Sequence, residues 1–336
     1  MAIGLSVGMG DYVGEWPKSS VACPRVLGMT MDLFGDTLAA LRTGSPVATR
    51  CECHAPWSMR LPAFAGAGVH VVADGSCVLV PKGGKPLTLA AGDLVFLSRG
   101  GQHTLCSDPA LPPRDYTHDR VAHDAAFGEL QIGGPGERTV LACAAYKLDV
   151  TSSHPLVASL PEVIHFPASA ERGQALEISI KQIIDETADS RATSPSIVVA
   201  LVDVLLLRIL RAWHDKLPAE QATGWAAAVA DPAIAPALQA IHGSPAESWT
   251  VETLARESGL SRAAFARRFK SVLGEPPLAY LTGWRMTMAR HLLRETGLPL
   301  SAIAERTGYA SEFAFAKAFK RESGRAPGNY RLASAA

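Results

Sequence analysis

An excess of charge of either sign is absent from this chain: 32 Lys and Arg balance 32 Asp and Glu over 336 residues. Such a balance excludes a uniformly basic nucleic-acid coat or an acidic solvating chain. Long hydrophobic runs are missing too. The most apolar stretch, Ile197 to Leu210, contains Asp203 and Arg208 and is too short to cross a bilayer. At the N-terminus no basic start appears, and Asp11 and Glu15 interrupt the short apolar stretch, so no targeting segment is read there. Cysteine is absent after residue 143: the six stand at positions 23, 51, 53, 77, 106 and 143. A soluble, cytoplasmic protein with reduced thiols is expected, without a disulfide framework or membrane contact. A phosphate loop is lacking as well, because Gly133-Gly134-Pro135-Gly136 has neither the lysine nor the strand-to-helix setting and reads as a turn. No catalytic constellation stands out. The expectation is a protein that is not an enzyme and carries no cofactor and no metal.

What is present supports two or three domains, since 48% hydrophobic residues over this length can bury sizeable cores. The zero net charge also conceals a split. Residues 244–331 hold 14 Lys and Arg against 8 Asp and Glu, a balance of +6, which leaves −6 on the remainder. A basic C-terminal part beside an acidic N-terminal part fits a DNA-binding unit joined to a sensor.

The C-terminal part repeats itself. Leu254-Ala255, Gly259, Ser261, Phe265, Phe269-Lys270, Gly274, Pro277 and Tyr280 recur as Ile303-Ala304, Gly308, Ser311, Phe315, Phe319-Lys320, Gly324, Pro327 and Tyr330. The offset is 49 residues up to the first glycine and 50 from the serine onward. Each copy reads as helix, tight turn, helix: the glycine suits a left-handed stop, the serine caps the next helix, and Phe at i and i+4 faces inward. Two helix-turn-helix units are predicted. The stretch from Pro277 to Met286, with Ala289-Arg290-His291-Leu292-Leu293, Ile303-Ala304, Gly308-Tyr309, Phe319-Lys320-Arg321 and Ala326-Pro327-Gly328-Asn329-Tyr330-Arg331, resembles the AraC/XylS transcription regulators. The likeness covers roughly the last hundred residues and includes the Pro-x-x-Tyr-Arg ending.

With the phenylalanines inside, Arg262, Ala263, Ala266, Arg267 and Lys270 face outward in the first recognition helix, and Glu312, Phe313, Ala316, Lys317 and Lys320 in the second. The resemblance places Ala263, Ala266 and Arg267, and Glu312, Phe313, Ala316 and Lys317, at base-reading positions. Arg267 suits guanine O6 and N7, Ala and Phe suit thymine methyls, and Glu312 suits cytosine. Arg262, Lys270, Lys320 and Arg321 are assigned to phosphates. An apolar-faced helix over 281–296 joins the two units, which would enter successive major-groove segments roughly one helical turn apart.

Ahead of this lie short apolar alternations from about residue 47 to 166, broken by Asp74-Gly75, Lys82-Gly83-Gly84 and Ala91-Gly92-Asp93. They predict a β-sandwich or barrel. Gly68-Val69-His70 to Gly75, then Leu89 to Leu94 and Gly100-Gly101-Gln102-His103, resemble a cupin barrel of the kind attached to some AraC-type regulators, and His154-Pro155-Leu156 to Leu160-Pro161 adds to the likeness. His70 and His103 occupy the matching regions, but Val72 replaces the usual second His and no Glu follows. Two ligands do not complete a metal site unless His54 or a cysteine contributes. Hydrogen-bonded barrel histidines are the plainer reading, and a cupin metalloenzyme fused to a helical domain is the alternative. Cys51-x-Cys53-His54 and Cys143 offer a thiol sensor instead, although cysteines are often simply buried.

The organisation expected is a poorly ordered extension over 1–28, a cupin-like sensor over 29–170, a helical linker and dimerisation region over 171–243, and an all-α double helix-turn-helix over 244–336. In class this is α+β multidomain. The partners expected are double-stranded promoter DNA, a second copy of the chain, a small effector or oxidant sensed through His70, His103, Cys51, Cys53 or Cys143, and RNA polymerase.

Overall fold

The computed structural model describes residues 32–116, 127–149, 154–169, 173–188, 193–218 and 220–334. The extension expected over 1–28, with Cys23, lies outside the described residues. The first described element is α1 (Leu33–Leu41), whose N-cap Asp32 accepts a hydrogen bond from the Gly35 N–H at 3.2 Å.

Eleven strands follow among the described residues, in two sheets. The six-stranded sheet runs β11 (Val163–Phe166), β6 (Leu94–Leu97), β3 (Gly66–Asp74), β10 (Arg138–Lys147), β1 (Val47–His54) and β9 (Phe127–Gly133). The five-stranded sheet runs β5 (Leu87–Ala90), β4 (Ser76–Pro81), β7 (His103–Cys106), β2 (Ser58–Leu61) and β8 (Arg114–Asp115). Alternation along each strand decides what faces what. Cys51, Cys53, Val72, Val95, Leu97 and Leu141 of the larger sheet share one core with Met59, Cys77, Leu79, Leu89 and Leu105 of the smaller. The intervening residues Ala48, Val69, Val71, Leu94, Phe96 and Ala142 face the other way and join a core with the helices. The larger sheet is thus buried on both faces, which is why β3 and β6 read as continuous apolar runs in place of a strict alternation. The cupin-like β region predicted from the sequence is present.

Helices dominate the rest. After the short α2 (Pro155–Ser159), α3 (Gln174–Glu186) and α4 (Pro195–Lys216) bury Leu176, Ile180 and Ile183, and Val198, Val202, Leu205, Ile209 and Trp213. Then come α5 (Gly224–Ala230) and α6 (Ala235–Gly243). Of these, α5 has no counterpart in the sequence reading.

The C-terminal part holds α7 (Val251–Glu257), α8 (Arg262–Leu273), α9 (Pro277–Glu295), α10 (Leu300–Arg306), α11 (Glu312–Ser323) and α12 (Pro327–Ser334). Both predicted helix-turn-helix units are there, α7–α8 and α10–α11. Gly259 and Gly308 make their turns at φ 62° and 74°, a region closed to most residues with a Cβ. Phe265, Phe269, Phe315 and Phe319 are fully buried. Truncating any one to Ala would cost about 3–5 kcal/mol.

Candidate nucleic-acid interface

The two recognition helices, α8 and α11, are built alike. Ser261 accepts from the Ala264 N–H at 3.3 Å, and Ser311 accepts from the Ala314 N–H at 3.2 Å. Left-handed Gly274 and Gly324 end them. With the phenylalanines pinned inside, the opposite faces meet solvent. On α8, Arg262, Ala263, Arg267 and Lys270 are exposed and Ala266 is half-buried. On α11, Glu312, Phe313, Lys317, Lys320 and Arg321 are exposed and Ala316 is half-buried. Phe313 is 79% exposed, the most open large apolar side chain described.

Ion pairing divides the basic side chains into two sets. Arg262 is held by Glu252 at 2.7 Å and Arg321 by its neighbour Glu322 at 2.9 Å. Arg268, which sequence reasoning left unassigned, pairs with Asp231 at 2.8 Å and ties α8 back to the segment between α5 and α6. Among the described residues no ion pair or side-chain hydrogen bond holds Arg267, Lys270, Lys317 or Lys320. These four ammonium and guanidinium groups are available to an incoming anion.

In the N-terminal β region, the structure brings most of the predicted residues together. His70 Nδ1 lies 3.0 Å from Cys143 Sγ, and His70 Nε2 lies 2.8 Å from His103 Nε2. His103 Nδ1 is 2.8 Å from the Gly101 carbonyl. A carbonyl only accepts, so His103 carries its proton on Nδ1 and accepts on Nε2. His70 therefore donates from Nε2 and accepts on Nδ1, and Cys143 S–H is the donor to it. The result is a directed chain from β10 through β3 to β7, crossing from one sheet to the other.

All of it is held neutral. Burial, then the neighbouring His103, pushes the His70 imidazole well below its ordinary value, and burial also lowers His103. The neighbouring Cys51 thiol, then burial, raises the Cys143 thiol, and burial pushes Cys77 up to about 12. The nitrogens of His70 point in opposite directions, towards Cys143 and His103, so one ion cannot take all three groups. His54 does not join the thiols. Strand alternation sends it away from Cys51 and Cys53, and it lies 3.4 Å from Glu52.

Two further clusters escaped the sequence reading. Arg294 of α9 donates to Asp149 at 2.9 Å, to the Tyr330 hydroxyl at 2.9 Å and to the Arg42 carbonyl at 3.2 Å. Both members of this ion pair are buried, with side chains 9% and 6% exposed. In the second cluster, Tyr280 of α9 accepts from Trp225 Nε1 at 3.1 Å and lies 2.8 Å from His242 Nε2. His242 stacks on Trp284 at 3.9 Å. His154, whose pKa burial lowers to about 3, stands edge-on to Trp225 and Trp284. Helices α2, α5, α6 and α9 meet there.

Comparison with known proteins agrees with this arrangement. A family model described as cupin matches residues 32–215, and one described as helix-turn-helix domain matches residues 254–333. A putative AraC-like transcription regulator of Streptomyces antibioticus is 34% identical over 306 residues, spanning 90% of this chain and 98% of that protein. The chain belongs to the AraC-like transcription regulators. Its similarity to the regulator AlkR of Acinetobacter baylyi is 28% over 282 residues, 83% of this chain and 92% of that one. The DNA-binding domain of AdpA, solved with a target DNA, is 35% identical and covers 31% of this chain and 92% of its own, at a TM-score of 0.29. Members of this AraC-like family bind double-stranded DNA through such units, and regulation of transcription is this chain's function. Among the described residues no helix is long and apolar enough to cross a membrane.

Proposed function

We propose that the chain reads promoter DNA with two helices at once, α8 through Ala263, Ala266 and Arg267, and α11 through Glu312, Phe313, Ala316 and Lys317. Lys270 and Lys320 serve phosphates, with Arg262 and Arg321 available once their pairing with glutamate is exchanged for phosphate. The observation that carries this reading is the matched pair of solvent faces, each with unpaired cations among small residues and, on α11, an uncovered phenylalanine. Small side chains let a helix approach the groove floor, and free cations displace condensed counterions. The full chain, used to select from a random duplex library, is expected to yield a defined motif whose affinity falls steeply with salt. Recovery of random sequence would overturn the reading.

The N-terminal domain is read as a sensor without catalytic activity, in the cytoplasm, acting within a homodimer and able to contact RNA polymerase from the DNA. Its effector is read as a small organic ligand in preference to an oxidant, because burial and hydrogen bonding hold Cys53, Cys77 and Cys143 in the thiol form. Oxidation is then expected to leave DNA binding unchanged. A loss on oxidation that a thiol reductant restores would move Cys51, Cys53 and Cys143 ahead of the ligand reading.

A further inference from the structure

The two helix-turn-helix units have separate cores. Phe265, Phe269, Tyr280, Leu281 and Trp284 belong to the large core, whereas Met286, Ala289, Leu293, Phe315 and Phe319 form a small one of their own. Helix α9 supplies both, with Tyr280, Leu281, Trp284 and Met288 turned to the large core and Met286, Ala289 and Leu293 to the small one. Between them stands Arg285. Its Nε donates to the Pro245 carbonyl at 2.7 Å and its Nη2 to the Glu247 carbonyl at 2.8 Å, both in the segment leading into α7. The same guanidinium lies 5.9 Å from the ring centre of Tyr309, in the turn before α11. That turn comes close because position 308 has no side chain. A Cβ on Gly308 would fall 2.5 Å from Arg285 Nη2 and 2.8 Å from the Ala246 carbonyl.

The spine itself is soft beside this seam. Gly283 sits inside α9 with nothing within 4 Å of where its Cβ would be, so no packing demands a glycine there. An interior glycine loosens a helix by roughly 1 kcal/mol relative to alanine. Two units on such a spine need contacts beside it to fix their angle. Arg285 and Gly308 supply the one that runs directly between the units, while Arg294 and Tyr330 tie the second unit to Asp149.

We propose that Arg285 is a positioning residue that sets the angle between α8 and α11, and so the spacing at which one chain reads its two DNA subsites. It touches no base in this role. The inference rests on the reading that both helices enter DNA. Two linked heads gain affinity over one only when the joint holds them near the geometry both subsites require. Without the clamp each head still binds its own subsite, but the gain from engaging both shrinks.

The test uses the full chain and the duplex motif that it selects from a random library. Affinity is measured for that duplex, for one with the α11 subsite scrambled, and for versions with one or two base pairs inserted between the subsites. Arg285→Met, which keeps the aliphatic stem and loses the fork, is expected to bind the scrambled duplex as the unaltered chain does. On the intact duplex it is expected to bind about tenfold more weakly and to discriminate less between spacings. Arg285→Lys, able to reach one carbonyl, should recover part of that loss. The proposal is overturned if Arg285→Met keeps the full gain and the same spacing preference, or loses affinity equally on both duplexes. It is equally overturned if both Arg285 variants melt below the assay temperature, since the residue would then hold the fold and not the angle. Selection of a single undivided subsite by the unaltered chain would instead remove the two-head reading, and the clamp with it.

Discussion

A phenylalanine left 79% exposed costs nothing in packing to remove, so Phe313→Ala separates recognition from folding. Its melting temperature should match that of the unaltered chain, while affinity for the selected motif falls and random DNA is bound as before. Arg267→Ala should weaken specific binding by about 1–3 kcal/mol and relax the preference at one base pair. Lys320→Ala should weaken all sequences alike and flatten the dependence on salt. Equal losses on specific and random DNA for Arg267→Ala would show that it meets phosphate. The buried imidazoles make a different prediction. Burial lowers His70, His103, His154 and His242 below the ordinary histidine value, to about 3 for His154. Their unfolded forms take up protons below a pH of about 6.5 and the folded forms do not, so stability is full above that pH and falls as the pH drops towards the folded values. Each contributes at most about 1.4 kcal/mol per pH unit in that window. In His154→Asn, which can still cap α2, the fall in unfolding free energy between pH 6.5 and 5.5 should be shallower by up to one proton's share. An unchanged slope would mean that His154 titrates in the fold.

Among the elements, legibility followed periodicity. Phe at i and i+4 phased α8 and α11 correctly because their buried faces are narrow and their ends carry Ser and Gly. Helix α5 escaped, since Gly224-Trp225-Ala226-Ala227-Ala228-Val229-Ala230 has no polar face to set against an apolar one. Its helical state is fixed by Trp225 packing against Tyr280 and Phe34, 55 residues later and far earlier in the chain. The joiner α9 was expected, but no role was read for Arg285, because acceptors that are backbone carbonyls leave no trace in residue type. Among the described residues, helix α4 leaves apolar side chains on its outer face exposed. Ile197 and Val204 are 48% and 40% exposed, Leu201 is partly so, and Ile178 of α3 is 49% exposed. This stripe is the face expected to meet a second copy. Val204→Lys should lower the sedimentation mass towards the monomer without shifting the melting temperature of dilute samples. A mass that does not move would place any dimer contact elsewhere.

Across the whole molecule, Asp149 and Arg294 lie 145 residues apart, and no local pattern announces them. The cupin likeness made His70 and His103 visible as a pair, yet the polarity of their hydrogen-bond chain needed Gly101 and Cys143 in place. Removing one member of the buried ion pair strands the other, at a cost of about 3–5 kcal/mol, whereas replacing both with apolar groups can be nearly neutral. Asp149→Leu alone should therefore melt well below Asp149→Leu/Arg294→Leu, and calorimetry of both proteins compares them directly. A double variant as weak as the single would mean that the Tyr330 and carbonyl partners carry the contact. The large core runs without a break from Leu33 through one face of the larger sheet and α4 to Trp284, and the core between the sheets and that of the second unit stand apart from it. Genetic recombination that exchanged sensors at the start of the basic region would cut between His242 and Tyr280, leaving two tryptophans without their covering. The second unit has a small core of its own, yet Arg294 and Tyr330 fasten it to Asp149 far earlier in the chain, so a cut inside α9 would strand a buried carboxylate in its turn.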